Sequence, residues 1–299
     1  IIILHTGYFK LAFNCLMQSK KNDIVFVYLD VIGLYIFLLS KIFLKKINLV
    51  VINIMLNDYN DLITRIKHKL FKIMMKDRNV YPTVTSFELK DHYRKKFKLP
   101  SKEFYLLHDC YGDLAKYKKS FYSGENYVFS GGKNGRDWKT IKRTAELLPH
   151  INFVIIGPQK NTLGDSYPAN IIYDYDIPSV KFQELVEKCT IVALPLETQA
   201  PAGIIVLLTA GLMSKPVVTT NNITMREYIK TGVNGILVEM NDSENFAKQI
   251  ENIMFDADMQ KEFGEKLCHT VQELATPSVY VDTLICLSRH IIANENSSN

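Results

Sequence analysis

From residue 126 onward, short β-branched apolar runs alternate with stretches of helical period. NYVFSGG, INFVIIGP, NIIYDY, TIVALPL, KPVVTTN and NGILVEM are the strand-like runs, separated by amphipathic segments or tight connections. Runs such as FVIIG and IVALP show no polar alternation, which suits strands buried on both faces of a parallel sheet with helical crossovers. The preceding residues repeat the theme with NDIVFVYLD, a helix from about 31 to 44, NLVVINIML, a basic helix, NVYPTVTS, a helix through Arg94, and EFYLLHD. The pattern predicts an α/β protein of two Rossmann-like domains, the N-terminal one short or truncated at its start.

After HDCYGD the composition turns polar through KYKKSFYSGEN, so a linker is expected near 112–125. The predicted domains are 1–112, then 113–277, with a closing helix over 278–299 that crosses back to the N-terminal domain. A helical tail runs from about 243 to 293 with an interruption at Pro277. IIILHTGYF has no initiator Met, basic n-region or small-residue cleavage site, so it does not read as a signal peptide.

Composition narrows the class. Of 299 residues, 47% are hydrophobic and 22% charged, values of a folding chain rather than a disordered one. The five cysteines are scattered and lack any C-x-x-C spacing, which argues against a disulfide framework or zinc site and favours a reducing cytoplasm. The apolar run VIGLYIFLLS stops at Lys41, too short for a membrane span, and reads as a buried helix.

Charge is uneven. Residues 41–100 hold fourteen Lys and Arg against five Asp and Glu, although the whole chain carries only +5. In DLITRIKHKLFKIMMKDR, Ile63, Ile66, Leu70, Ile73 and Met74 share one predicted face, while Arg65, Lys69, Lys72 and Lys76 recur on the other. Such a helix suits an anionic membrane surface, a peripheral position on the inner face of the cell membrane; the alternatives are a solvated cationic face or a nucleic-acid contact.

In a parallel α/β sheet, ligands sit beyond the carboxyl ends of the strands, and three such ends here carry glycine. In VFSGGKNGRDWKTI, Gly131 and Gly132 end a strand, and Lys133 with Arg136 put two cations beside them, a combination that fits a diphosphate or a plain glycine turn. Gly157, in VIIGPQ, can wall a nucleobase slot or simply turn the chain. In LPLETQAPAGIIVLLTAGLMSKPVVTT, a polar loop leads to a helix expected to begin near Pro201. The N–H groups of Ala202, Gly203 and Ile204 there are candidates to cradle phosphate.

AGIIVLLTAGLMSKPVVTT resembles the strand, P-x-x-x-E-G-F-G, helix, G-x-P-V-V frame of family-4-like GT-B glycosyltransferases (glycosyl transferases group 1). TMREYIKTGVNGILVEM likewise resembles that family's E-x-I-x-x-G-x-N-G-x-L-V ending. The resemblance covers about residues 80–293, and the P-A-G segment with Arg136-Asp137-Trp138 is similar to the polysaccharide-assembly members. It implies a nucleotide-sugar site in which Lys133 and Arg136 hold the diphosphate, Gly132 and Gly203 admit it, and Gly157 neighbours the base. Glu227 is then only a helix-start residue. The family's paired acids, Glu-x7-Glu, fall on Pro201 and Thr209, so that motif is degenerate; Thr209 keeps a hydroxyl for a ribose, and Glu197 can stand in for a lost acid.

The resemblance and the strand-end chemistry together predict a glycosyltransferase that uses a nucleoside-diphosphate sugar; the resemblance alone implies a glycan acceptor, expected to be lipid-linked, in surface polysaccharide or capsule synthesis. It is expected to need no cofactor and no metal, since Lys and Arg supply the charge, to retain configuration rather than invert it, and not to bind nucleic acid. Candidate catalytic groups at N-terminal strand ends are Asp30, Asp58 beside Asn57, and His108 beside Asp109, with helix capping by Asp30 and Asp58 and a linker contact by His108 as the other reading. By the same resemblance His5 is a candidate for an acceptor loop after a first strand. The rival readings are a catalytically degenerate subunit that supports a partner transferase, and an NAD-dependent oxidoreductase, which lacks G-x-G-x-x-G after any strand.

Overall fold

A computed structural model describes residues 2–56, 62–112, 125–158 and 166–296. The chain divides into two compact units, Ile1–His108 with Tyr280–Asn299, and Asp109–Val279. Both are α/β units built on parallel sheets. Most of the expected linker, residues 113–124, lies outside the described residues.

Unit 1 comprises α1 (Ile2–Gln18), β1 (Ile24–Tyr28), α2 (Asp30–Ile42), β2 (Asn48–Ile52), α3 (Leu62–Lys76), β3 (Val80–Val84), α4 (Phe87–Phe97) and β4 (Tyr105–Leu106). Its four strands are parallel and follow one another in sequence order. β2 and β3 are buried throughout and mostly apolar, with Asn48 and Thr83 as their buried polar residues, whereas β1 buries Val25 and Val27 and exposes Phe26 and Tyr28. α2 covers the valine side so closely that a Cβ on Gly33 would stand 3.2 Å from both Val27 and Val51.

Three expectations change in unit 1. His5 does not follow a first strand but lies within α1, because Ala12 and Leu16, four residues apart, give that segment a buried helical stripe that outweighs its β-branched start. Asp30 does not cap α2: Leu29 is the N-cap at φ 86, ψ 116, no side chain caps the helix, and Asp30 is its first residue. The buried face of α3 is only partly the one its spacing suggests, with Met74 buried and Leu70 half-buried as expected. Phe71, Met74 and Met75 are buried, while Ile66 and Ile73 are exposed alongside the cations; the side chain of Ile63 lies outside the described residues.

Unit 2 runs β5 (Tyr127–Gly131), α5 (Trp138–Leu147), β6 (Asn152–Gly157), β7 (Ile171–Tyr175), α6 (Ser179–Lys188), β8 (Ile191–Leu194), α7 (Ile204–Leu212), β9 (Val217–Thr220), α8 (Met225–Tyr228), β10 (Ile236–Val238), α9 (Ser243–Met254) and α10 (Ala257–Leu274). The strands form one parallel sheet in the order β10-β9-β8-β5-β6-β7. Val128, Phe153, Ile155, Ala193 and Val218 point to the layer of α5 and α9; Phe129, Val192, Leu194 and Val217 point to that of α6, α7 and α10. Each such side chain taken wholly out of water contributes about 1.5–3 kcal/mol, which makes the two-sided core the main stabiliser of the sheet. Asp137, Asp242 and Asp256 fix where α5, α9 and α10 start, each accepting a backbone N–H three residues on.

The last helix, α11 (Pro277–Asn296), starts at the proline that breaks the helical tail. Its Leu287 and Ile291 pack in unit 1 against Val50, Ile52, Tyr81 and Leu107, on the sheet face opposite α2. Among the described residues no helix is long and apolar enough to cross a membrane.

Candidate functional site

The strand order of unit 2 reverses at β5, which has β8 on one side and β6 on the other. A crevice outside the carboxyl ends of β5 and β8 follows from that reversal, because the chain leaves the two strands toward opposite layers. The loops that line it are joined to one another. Residues 132–137 after β5 meet residues 195–197 after β8 through an antiparallel bridge between Arg136 and Leu196, with Asp137 N–H donating to the Pro195 carbonyl (3.0 Å) and Glu197 N–H to that of Gly135 (3.1 Å).

Arg136 is the centre of this junction. Only 5% of it is exposed, its Nε donates to the Gly131 carbonyl at 2.7 Å, and its Nη1 donates to the Asn134 carbonyl at 3.0 Å. Those bonds use only part of the five N–H groups of a guanidinium, and no described carboxylate pairs with it. Burial lowers its pKa to about 10, so it remains a cation at neutral pH. Asp137, next in sequence, turns away and spends its carboxylate on Thr140 N–H and the Thr140 hydroxyl.

Against this cation stands the start of α7. Gly203 is its N-cap at φ 78, a left-handed backbone that favours glycine, and no side chain satisfies the first-turn N–H groups. A Cβ on Gly203 would lie 3.3 Å from Arg136 Nη1. A buried guanidinium and the positive end of a helix dipole are thus neighbours, an arrangement that costs free energy until an anion enters between them. The helix begins at Ile204, three residues after Pro201: Gly203, at φ 78, lies outside the helical region, and Pro201 and Ala202 precede it as buried loop.

The remaining candidates divide. Gly132, at φ 118, makes room for Arg136, whose guanidinium fills the place of a Cβ; Gly131 likewise accommodates Phe182 and Phe129. Gly157 accommodates Tyr173, whose hydroxyl donates to the Pro158 carbonyl at 2.7 Å, so packing within the protein by itself calls for glycine there. Lys133 is exposed and pairs with Asp176 at 2.6 Å, leaving Arg136 as the buried cation of the loop. Glu197 is exposed at the crevice. Thr209 is 6% exposed, and its hydroxyl donates to the Ile205 carbonyl at 2.8 Å, so its proton is engaged within α7.

Two residues not foreseen from sequence hold the loop after β8. Asn222, wholly buried, donates to the Thr198 carbonyl (2.9 Å) and accepts from Thr224 and Met225 N–H (3.1 and 2.8 Å). Gln199 accepts from Ile223 N–H at 3.0 Å. The N-N-I-T-M-R run contains a helix-start signal for Asn222, but its reach to Thr198 is a tertiary contact with no local signature.

In unit 1, Asp30 follows the strained Leu29 at the end of β1. It is 8% exposed, with Oδ1 3.5 Å from Lys67 Nζ and Oδ2 without a partner among the described residues. Burial raises its pKa, opposed by Lys67. His108 follows β4 and is half-buried, whereas Asp58 and Asn57 lie outside the described residues. No cluster of three or more His, Cys, Asp and Glu is poised for a metal among the described residues.

Residues 137–267 match the family model described as glycosyl transferases group 1. No curated protein matches the chain in sequence. The fold is similar to that of sucrose-phosphate synthase from Thermosynechococcus elongatus (TM-score 0.72, 14% identity, 91% of this chain and 74% of that one). It is also similar to Anabaena HepE in complex with UDP-glucose (0.71, 16%, 94% and 82%). S. aureus TarM in complex with fondaparinux, α-GlcNAc-glycerol and UDP gives 0.66 at 12% identity, over 83% of this chain and 53% of that one, so this chain spans about half of TarM. Its α/β architecture of two Rossmann-like units matches these GT-B structures.

Proposed function

We propose, from a second unit whose residues 137–267 carry the group 1 glycosyl transferase match, that the protein is a glycosyltransferase using a nucleoside-diphosphate sugar. The observation that carries this is the buried Arg136 cation set against the uncapped start of α7, with no described carboxylate paired to it. A diphosphate supplies the missing negative charge, takes the free first-turn N–H groups, and is stabilised there as a leaving group. UDP and UDP-glucose in the HepE structures support the same class of ligand.

The acceptor in this reading is a glycan, lipid-linked and destined for a surface polysaccharide or capsule, and the enzyme works peripherally on the inner face of the membrane. Transfer proceeds without a metal because Arg136, Lys133 and the helix start carry the charge. Retention is preferred to inversion, so that Asp30 and His108 serve the acceptor rather than act as an obligatory base. The second reading, a nucleotide-sugar-binding subunit without turnover, is favoured by Thr209, whose hydroxyl is committed to its own helix where the family has an acid.

Titration calorimetry with UDP, GDP and their sugars, followed by donor-hydrolysis and transfer assays, tests both. Binding with turnover is the expected result. Binding without hydrolysis or transfer selects the subunit reading, and no binding of any nucleotide overturns the two together.

A further inference from the structure

In α3 the exposed side is not simply polar. Leu62, Ile66 and Ile73 are 71%, 50% and 57% exposed. At 100° per residue these three fall within one narrow arc of the helix. Arg65, Lys69 and Lys76 border the same arc on its other flank, and Lys72 lies just beyond. Lys69, Lys72 and Lys76 form no ion pair with a described residue, and Leu62–Lys76 contains no Asp or Glu. The helix is held to its own unit from behind by Phe71, Met74 and Met75.

An apolar stripe of this kind in water costs free energy, and a rim of unpaired lysines disfavours burial against an ordinary protein surface. A nucleic acid would use the cations but leave the leucine and isoleucines in water. One partner satisfies both halves: an anionic bilayer, whose headgroups meet the cations while its acyl boundary takes the apolar side chains. We infer that α3 lies in the plane of an anionic lipid surface, inserting Leu62, Ile66 and Ile73, with Lys69, Lys72 and Lys76 on the headgroups. This deepens the proposed function by naming the surface on which a lipid-linked acceptor is met, but it stands on the geometry of α3, and a vesicle assay without nucleotide tests it apart from nucleotide binding and transfer.

The full chain is mixed with vesicles of phosphatidylcholine alone or with phosphatidylglycerol, and binding is read by co-sedimentation. We expect binding to the anionic vesicles only. The variant Lys69→Gln/Lys72→Gln/Lys76→Gln should lower partitioning by roughly 100-fold, at about one lipid-facing cation's contribution each. The control Lys139→Gln/Lys248→Gln/Lys261→Gln, with the same change of net charge on exposed positions of unit 2, should leave it within about twofold, since the assignment rests on the cations of α3 and not on net charge. Ile73→Trp keeps the inference falsifiable should the triple variant fold poorly: its fluorescence should shift to the blue and be quenched by brominated lipid on anionic vesicles. Equal losses in the two triple variants, no binding to anionic vesicles, or an Ile73→Trp signal unmoved by them would each overturn the assignment, as would tight RNA binding in place of lipid binding.

Discussion

The carboxyl ends of the two sheets are made from similar material, apolar runs closing on small or polar residues, but they treat charge differently. In unit 1 the charged group at the strand ends has an opposite charge beside it: Asp30 Oδ1 faces Lys67, although Oδ2 has no partner among the described residues, and Asn53 and Thr83 exchange hydrogen bonds, Thr83 Oγ1 donating to Asn53 Oδ1 (3.0 Å) and accepting from Asn53 N–H (2.7 Å). In unit 2 the fold buries Arg136 with no described carboxylate beside it and aims a helix start at it. A protein interior normally pairs its charges, so a charge left uncompensated beside a crevice marks where a ligand completes the electrostatics. The glycines beside it are a weaker sign. Gly132 and Gly157 make room for Arg136 and Tyr173, side chains of the protein itself.

The largest effect expected from this contrast is at Arg136. Arg136→Met should weaken nucleoside-diphosphate binding by about 100-fold, the scale of one buried charge-assisted contact, while nucleoside binding changes far less. Because the cation is uncompensated without ligand, the urea midpoint of the ligand-free variant should be unchanged or higher. A large fall in that midpoint, or equal losses for nucleoside and nucleoside diphosphate in calorimetry, would make Arg136 a structural residue and erase the contrast.

Next comes Asn222. Its replacement by Ala leaves the Thr198 carbonyl and the Thr224 and Met225 N–H groups without their partner, which should cost about 1–3 kcal/mol in chemical denaturation. Because Asn222 holds the loop rather than the ligand, the nucleotide Kd should rise less than with Arg136→Met, and a Kd unchanged within error would show that the loop's position is set elsewhere.

The smallest effect is at Asp30. Burial raises its folded pKa above the usual 3.8, so its contribution to stability is present below that value and is lost as pH rises through the folded pKa. Asp30→Asn should therefore flatten the pH profile of unfolding free energy on the neutral side of 3.8 while leaving its acid end nearly unchanged. An identical profile for both proteins would mean that Lys67 fully offsets the burial.

Much of this fold is legible in the chain, for reasons tied to particular elements. β2, β6 and β8 lie in parallel sheets covered on both sides, so from Leu49, Phe153 and Ile191 their runs are apolar without alternation and stand out from the helices between them. α3 is legible as a helix but its faces are not, because Ile66 and Ile73 obey the same spacing as Met74 and only the neighbours decide which stripe is buried. The beginning of α1 misleads in the opposite way, its β-branched start suggesting a strand where Ala12 and Leu16 impose a helix.

By itself, then, the sequence determined the alternation of strands and helices, the parallel α/β class, and the loops in which chemistry gathers, since periodicity, turn residues and caps are local properties written residue by residue. Tertiary structure alone decided that Arg136 is buried and Lys133 exposed, that Tyr173 fills the space beside Gly157, that Asn222 ties two loops together, and that α3 turns isoleucines to the outside. Each of these depends on which distant segment lies against the residue, and burial, which sets both the cost of a charge and the value of a contact, is a property of that neighbourhood.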